Sequence, residues 1–408
     1  MNKVQKYLML LLVTTLGLTF IACGNDDNEP MKPDQEQPTE PSQSENIDCV
    51  TINSDGTTST GAIFSPGSNE YTFFIDYIKY HIVSSHIEVI GYDKDEIKAN
   101  IKPYAKIIYN GSQYNVTAIS TSAFRGCKTA TKIELPSSII RIDDEAFSQC
   151  ENLKEIIFSE HLEKLGDTST YSDMDGKVTN GVFNGCINLE EVTLPDNLET
   201  IGGGSFANCT ALRYVGFPKY LKSICFGAFD SCTNLESISL PQNLEILSGF
   251  SRCDALVSVS IPNSVNTISP RAFYYCKKLS SVVFGEGVKN IKNSAFEGCE
   301  NLELILFPKY LEIIDKNAFK YCKGLREITL FENLKSIGES AFCYCRNLNK
   351  VLTYRVDPPE IYRSSYVSEN TFGYIADNAT LYVPSGTNAI YRQKWDWNYV
   401  GYSIVEIQ

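Results

Sequence analysis

The sequence predicts a repeat solenoid of about ten 23-residue coils, each a short strand plus a short helical turn, with β-rich caps at both ends. Three observations predict it. Phe124, Phe147, Phe183, Phe206, Phe229, Phe250, Phe273, Phe296, Phe319 and Phe342 form one column, at spacings of 23, 36, 23, 23, 21, 23, 23, 23 and 23. Three positions after each stands a cysteine: Cys127, Cys150, Cys186, Cys209, Cys232, Cys253, Cys276, Cys299, Cys322 and Cys345. Around this pair the unit reads A-F-x-x-C-x-x-L-x-x-I-x-L-P-x-x-L-x-x-I, as in "AFDSCTNLESISLP" from Ala228 to Pro241.

In chain order, residues 1–22 read as an export signal: Lys3 and Lys6 precede an apolar run of about 16 residues, too short for a comfortable membrane span. The run ends in "FIAC", which resembles a bacterial lipobox and implies a diacylated Cys23 at the mature N-terminus. Cleavage there removes the two lysines and takes the formal net charge from −13 to −15. Residues 23–46, polar and rich in proline, cannot bury enough surface to offset ordering and read as a tether. Asp26 and Asp27 resemble an outer-surface export signal, so the expected location is the outer membrane, lipid-anchored and facing outward.

Residues 47–118 read as an N-terminal β cap with degenerate first coils, 119–353 as the solenoid and 354–408 as the C-terminal cap. Within a coil, Phe229, Cys232 and Leu235 lie three apart, which predicts one face of a short, partly 3₁₀ helical turn closed by Asn234. Ile238 and Leu240 alternate with Ser237 and Ser239, which predicts a short strand with one face buried and Pro241 ending it. Leu244 and Leu247 supply a second apolar edge. Gly181 and Gly249 replace or displace the alanine, and Asp167–Asn180 accounts for most of the longest spacing and predicts an exposed loop. No coil stands alone. Each buried side chain contributes about 1.5–3 kcal/mol, against about 1–2 kcal/mol for every residue ordered, so stacking must supply the rest.

This unit resembles the leucine-rich repeat of BspA-like bacterial surface proteins, strongly so from about Ile119 to Thr353; "AFEGCENLELILFP" and "AFSQCENLKEIIFS" are close to that family's unit. "YIKYHIVSSHIEVIGY" resembles its degenerate first coils and "ATLYVPSGTNAIYRQKWDWNYVGYSIVEI" its closing cap. The resemblance implies attachment to host proteins or other cells.

The column cysteines have four readings. Zinc needs paired C-x₂₋₄-C or nearby histidine, and only Cys343 with Cys345 comes near. Stacked coils place successive cysteines at about the strand spacing of 4.8 Å, within disulfide reach, but with parallel Cβ vectors that strain the bridge. A nucleophile needs a base, and His81, His86 and His161 stand at no readable dyad spacing. The expectation is therefore reduced, buried thiols that fill space under each coil. Cys49, Cys225 and Cys343 lie outside the column without an assigned role. "SDMDGK", Ser172–Lys177, lacks the later acidic ligands of a calcium loop. No cofactor, metal or enzymatic activity is expected.

The acidic balance, without a basic stripe, argues against nucleic acid. A protein-binding or adhesive module is the first reading of function, presenting the outward strand columns to a host or other cell-surface protein; the alternative is a glycan-binding surface lipoprotein for nutrient capture. The candidate face comprises Tyr214, Ser237, Ser239, Ser258, Ser260, Ser281, Val283, Leu304 and Leu306, followed by Glu327 and Thr329. The serines make a small-residue floor and the three apolar residues a step beside it, unless a cap or loop folds over them. Trp395 and Trp397 read as cap packing.

Overall fold

The computed structural model describes residues 48–69, 71–168, 181–361, 370–394 and 403–407. The export signal, the tether, Cys23, the tryptophans and nearly all of the insertion lie outside these residues.

Each coil contributes to two parallel sheets and to a corner of tight turns. The first sheet is built from strands of two to five residues. It runs in three blocks: Asn100–Ile101 with Lys132–Glu134 and Glu155–Ile157, then Glu191–Thr193 with Tyr214–Gly216, then Ser258–Ser260 onward to Ser403–Ile407. In the three-residue strands the central residue is buried and its neighbours face out, as in Ser258–Ser260 around Val259. The Ser237–Ser239 strand expected from the sequence is absent; a single bridge, Ser237 to Ser258, remains where the column spacing falls to 21.

The second sheet was not anticipated. Where the sequence suggests only an apolar edge, two-residue strands pair coil to coil from Arg141–Ile142 and Lys164–Leu165 through Ile246–Leu247 to Glu360–Ile361. Their second residues, such as Ile224 and Leu247, are buried in every strand but the last, where Ile361 is half-buried, so burial sets the pairing even in strands of minimal length.

The expected helical turn is also corrected. Left-handed residues flank the phenylalanines, as Ser122 (φ 58°) and Gly126 (φ 71°) flank Phe124 and Asn317 (φ 57°) and Tyr321 (φ 63°) flank Phe319. A right-handed helix cannot pass through such positions. The chain makes successive β-turns instead, with Cys127 N–H bonding Phe124 O at 3.0 Å. The N–H groups in between reach the next coil: Ser122 to Asp144 O at 3.1 Å, Phe124 to Ala146 O at 2.7 Å, Gly126 to Ser148 O at 2.8 Å. Backbone groups that a helix would satisfy internally are thus satisfied between coils. Asn234 is not left-handed; at the equivalent position Asn152 and Asn188 donate Nδ2–H to carbonyls of the preceding coil.

The phenylalanine column is a continuous stack. Neighbouring rings lie 5.2–5.7 Å apart and nearly parallel from Phe124 to Phe342. It begins one step earlier at Tyr92 and ends one step later at Phe372, so that twelve stacked rings span eleven coil-to-coil steps, a solenoid of about eleven turns. The alanine column is filled by Val182, Ser205 and Gly249 at its exceptions, so Gly181 precedes it rather than replacing it.

Nine of the ten column thiols donate to the carbonyl of the preceding coil's phenylalanine, at 3.1–3.3 Å. Each such carbonyl therefore accepts from its own coil's backbone and from the next coil's thiol. Cysteine suits the position because it is small, largely apolar and still a weak donor. Burial pushes the Cys209 thiol up to about 12 and raises Cys232, Cys276 and Cys322 well above the ordinary thiol value. None of the thirteen described cysteines forms a disulfide. Native protein should accordingly show few titratable thiols, with about ten more after non-reducing denaturation; no increase would mean that the column is oxidised.

At the N-terminal end, Thr72–Ile75, Ile78–Val83 and His86–Tyr92 form an antiparallel meander. His86–Tyr92 then pairs in parallel with Ser112–Ile119, which pairs with Arg141–Ile142 and so leads into the two-residue sheet. At the other end Thr380–Pro384, the helix Asn388–Gln393 and Ser403–Ile407 close the first sheet. Among the described residues no helix is long and apolar enough to cross a membrane.

Candidate functional site

Alternation in the first sheet decides which side chains reach solvent. Val259, Val282, Ile305 and Ile328 are buried in the core, and the residues on either side of Val259, Val282 and Ile305 point outward. The structure places all nine candidate residues outside the core: Tyr214, Ser237, Ser239, Ser258, Ser260, Ser281, Val283, Leu304 and Leu306 are exposed. Among the described residues, neither a cap nor a loop covers the apolar step. Val283 is 51 % exposed, Leu304 49 % and Leu306 41 %.

Register brings part of this set together. Ser258, Ser281, Leu304 and Glu327 follow one another across neighbouring strands, as do Ser260, Val283 and Leu306. Val283 and the two leucines therefore form one contiguous apolar patch. Serines bound it on one side and the Lys350–Glu327 ion pair (2.7 Å) on the other. Tyr214 belongs to a different block of the sheet, where it borders a groove of about 420 Å³ with Lys154, Glu155, Glu190, Glu191 and Arg213.

Charged pairs join successive coils at two places, Lys277 and Lys323 ahead of first-sheet strands and Lys222 at the edge of the second sheet. Lys222 pairs with Glu199 at 2.8 Å, Lys277 with Asp254 at 2.9 Å and Lys323 with Glu300 at 2.9 Å, each pair one coil apart. Exposed pairs of this kind add at most about 1 kcal/mol apiece. Their effect is to neutralise these three lysines locally. Among the described residues no cluster of three or more histidine, cysteine or acidic side chains could hold a metal ion.

One feature escaped sequence reasoning. Tyr321, Tyr344 and Tyr374 stack in register on the turn corner, with centroids 4.8 and 4.5 Å apart, and Lys320 Nζ lies 5.2 Å from the Tyr321 ring. They stand two residues after their phenylalanines, all left-handed, where Tyr275 occurs singly in an earlier coil and the other coils carry glycine, serine, asparagine, glutamine or arginine. Only the last three aromatic entries in a column of mixed residues could have signalled it.

The family description "BspA type Leucine rich repeat region" matches this chain in six copies, over residues 103–175, 176–253 and 247–371. The chain belongs to the BspA-type leucine-rich repeat family. Solved structures similar to it include a leucine-rich repeat protein from Bacteroides ovatus, 22 % identical over 82 % of this chain and 100 % of that one, with a TM-score of 0.40. The pneumococcal vaccine antigen PcpA is 18 % identical, covering 83 % of this chain and 98 % of that chain, with a TM-score of 0.48. A leucine rich cell surface protein from Faecalibacterium prausnitzii is 20 % identical, covering 74 % and 96 %, with a TM-score of 0.33. No curated protein matches significantly. Within this BspA-type chain, the repeats supply a stacked core and two outward-facing sheets.

Proposed function

We propose that this BspA-type chain is a lipid-anchored cell-surface module that binds a protein partner on the outward columns of its first sheet, and that it is a binding protein rather than an enzyme. The observation that supports this most is the contiguous exposure of Val283, Leu304 and Leu306 on paired strands. Outward leucines beside a polar margin match the apolar centre and polar rim of protein interfaces. The serine floor lets a partner's backbone approach closely without displacing long side chains.

Leu304→Glu combined with Leu306→Lys should keep the thermal midpoint, because both side chains already face water, and should weaken partner capture from host-surface extracts at least about tenfold through loss of an apolar anchor. Unfolding of the double variant would show that the leucines support the core, and undiminished capture would place the site elsewhere.

Anchorage rests on the signal and on "FIAC" directly before the tether. Metabolic labelling with a fatty-acid probe should mark the wild type and leave Cys23→Ala unlabelled; equal labelling of the two would remove the anchor from the proposal.

A further inference from the structure

One coil is shorter than the rest. Five positions separate Ile224 from Phe229 and Ile268 from Phe273, but only three separate Leu247 from Phe250. Gly249 makes the shortcut at φ +88°, and a Cβ there would meet Cys225 O at 2.6 Å, so only glycine passes. The corner ladder has rungs at Gly204 N–H to Phe226 O (3.2 Å) and Arg271 N–H to Asn293 O (3.0 Å), and it is interrupted at the shortened coil between them.

The missing residues leave an open notch of about 550 Å³ between the flanking coils. Phe226, Ile246 and Pro270 supply its apolar lining, and Ser223, Ser248 and Ser269 its hydroxyls. Ser248 is 3 % exposed and its Oγ has no hydrogen-bond partner, which is unusual for a buried hydroxyl. Phe226 lies outside the phenylalanine stack, so its ring is not committed to the spine.

We propose that this notch is a binding site for a neutral saccharide unit, with the Ser248 hydroxyl as its buried hydrogen-bond anchor. Among the described residues no charged side chain lines the notch, so neither an anionic nor a cationic ligand finds a counter-charge there. A purely apolar ligand would leave Ser248 unpaired and desolvate the other hydroxyls. A sugar ring carries both kinds of surface: C–H faces to lie against Phe226 and Pro270, and hydroxyls that donate and accept as the serines do. Because the notch is open, a longer chain can extend past its ends. It lies away from the Val283–Leu306 patch, so its failure would leave the protein-binding proposal untouched, and the reverse.

Cys225 reports occupancy directly. It lines the notch, and among the described cysteines only it and Cys49 are not buried, which makes Cys49 the internal control. The experiment follows maleimide labelling of each thiol by mass spectrometry on the full-length protein. Probes are neutral hexasaccharides of glucose, mannose, galactose and xylose, an acidic oligogalacturonate and a leucine-rich peptide, each up to about 10 mM. The expected result is that at least one neutral hexasaccharide slows labelling of Cys225 about tenfold without slowing Cys49, and that Ser248→Ala raises the protecting concentration about tenfold at unchanged thermal midpoint. Two glycines inserted between Ser248 and Gly249, restoring the common coil length, should abolish protection. If that variant fails to fold, wild type and Ser248→Ala still decide. Absence of protection by every neutral probe, equal protection by the acidic probe or the peptide, or protection that survives Ser248→Ala would each overturn the assignment.

Discussion

Phe273→Ala is expected to lower the unfolding free energy by about 3–5 kcal/mol. Phe273 is fully buried, its ring stacked 5.7 Å from Phe250 and 5.3 Å from Phe296, and its carbonyl accepts the Cys299 thiol at 3.2 Å. Inter-coil bonds such as Phe273 N–H to Ala295 O at 2.8 Å hold the backbones apart, so the void cannot close by collapse. Since each coil contacts only its neighbours, damage in mid-array weakens the link between two halves that remain folded. Urea denaturation should therefore show both a lower midpoint and a broadened transition, with Phe372→Ala near the end less harmful. A loss below about 1 kcal/mol at Phe273 would show that the ring stack is not the packing spine.

Ending the chain at Ala376 is expected to produce self-association. The truncation removes Thr380–Pro384, which pairs with Lys350–Leu352, and Tyr391, which is fully buried and donates its hydroxyl to Arg355 O at 3.0 Å. It uncovers Lys350–Thr353 as an unpaired edge whose Val351 and Thr353 belong to the core. In the intact chain the outermost strand, Ser403–Ile407, exposes Ser403, Val405 and Glu406, and the Glu406 carboxylate accepts from Asn388 N–H at 3.1 Å. A strand end tied down by a charge is a poor template for another chain. Light scattering on the truncated protein should find oligomers; a monomer with unchanged melting temperature would contradict this role for the terminal strands.

The repeat was legible because every coil must pass a large ring and a small thiol through the same point, and that demand writes a period into the sequence. The local conformation was not. Apolar residues three apart, as in Phe229, Cys232 and Leu235, suit a helix and a run of β-turns equally, and the choice was made by Gly227 and Ser231, at φ 67° and 62°. Two-residue strands such as Ser223–Ile224 are too short to display alternation, so the second sheet left only isolated leucines and isoleucines as its trace. The outward columns could be named because one buried residue per strand determines the direction of both neighbours. That Val283, Leu304 and Leu306 stay uncovered depended on the placement of distant segments. The drop in spacing to 21 was visible, but that it opens a notch rather than merely tightening a coil depends on what the two adjoining corners do.

The ladders joining the coils give the molecule a direction of mechanical weakness. Strand pairs and corner turns bond from one coil to the next, so their hydrogen bonds point along the solenoid axis. Tension applied along that axis loads them one interface at a time, and coils peel away in sequence at low force. Tension across the axis must instead shear many bonds at once. For a protein held at one end and gripped on a lateral face, the angle of pull would decide whether it pays out as an extending line or resists as a rigid strut.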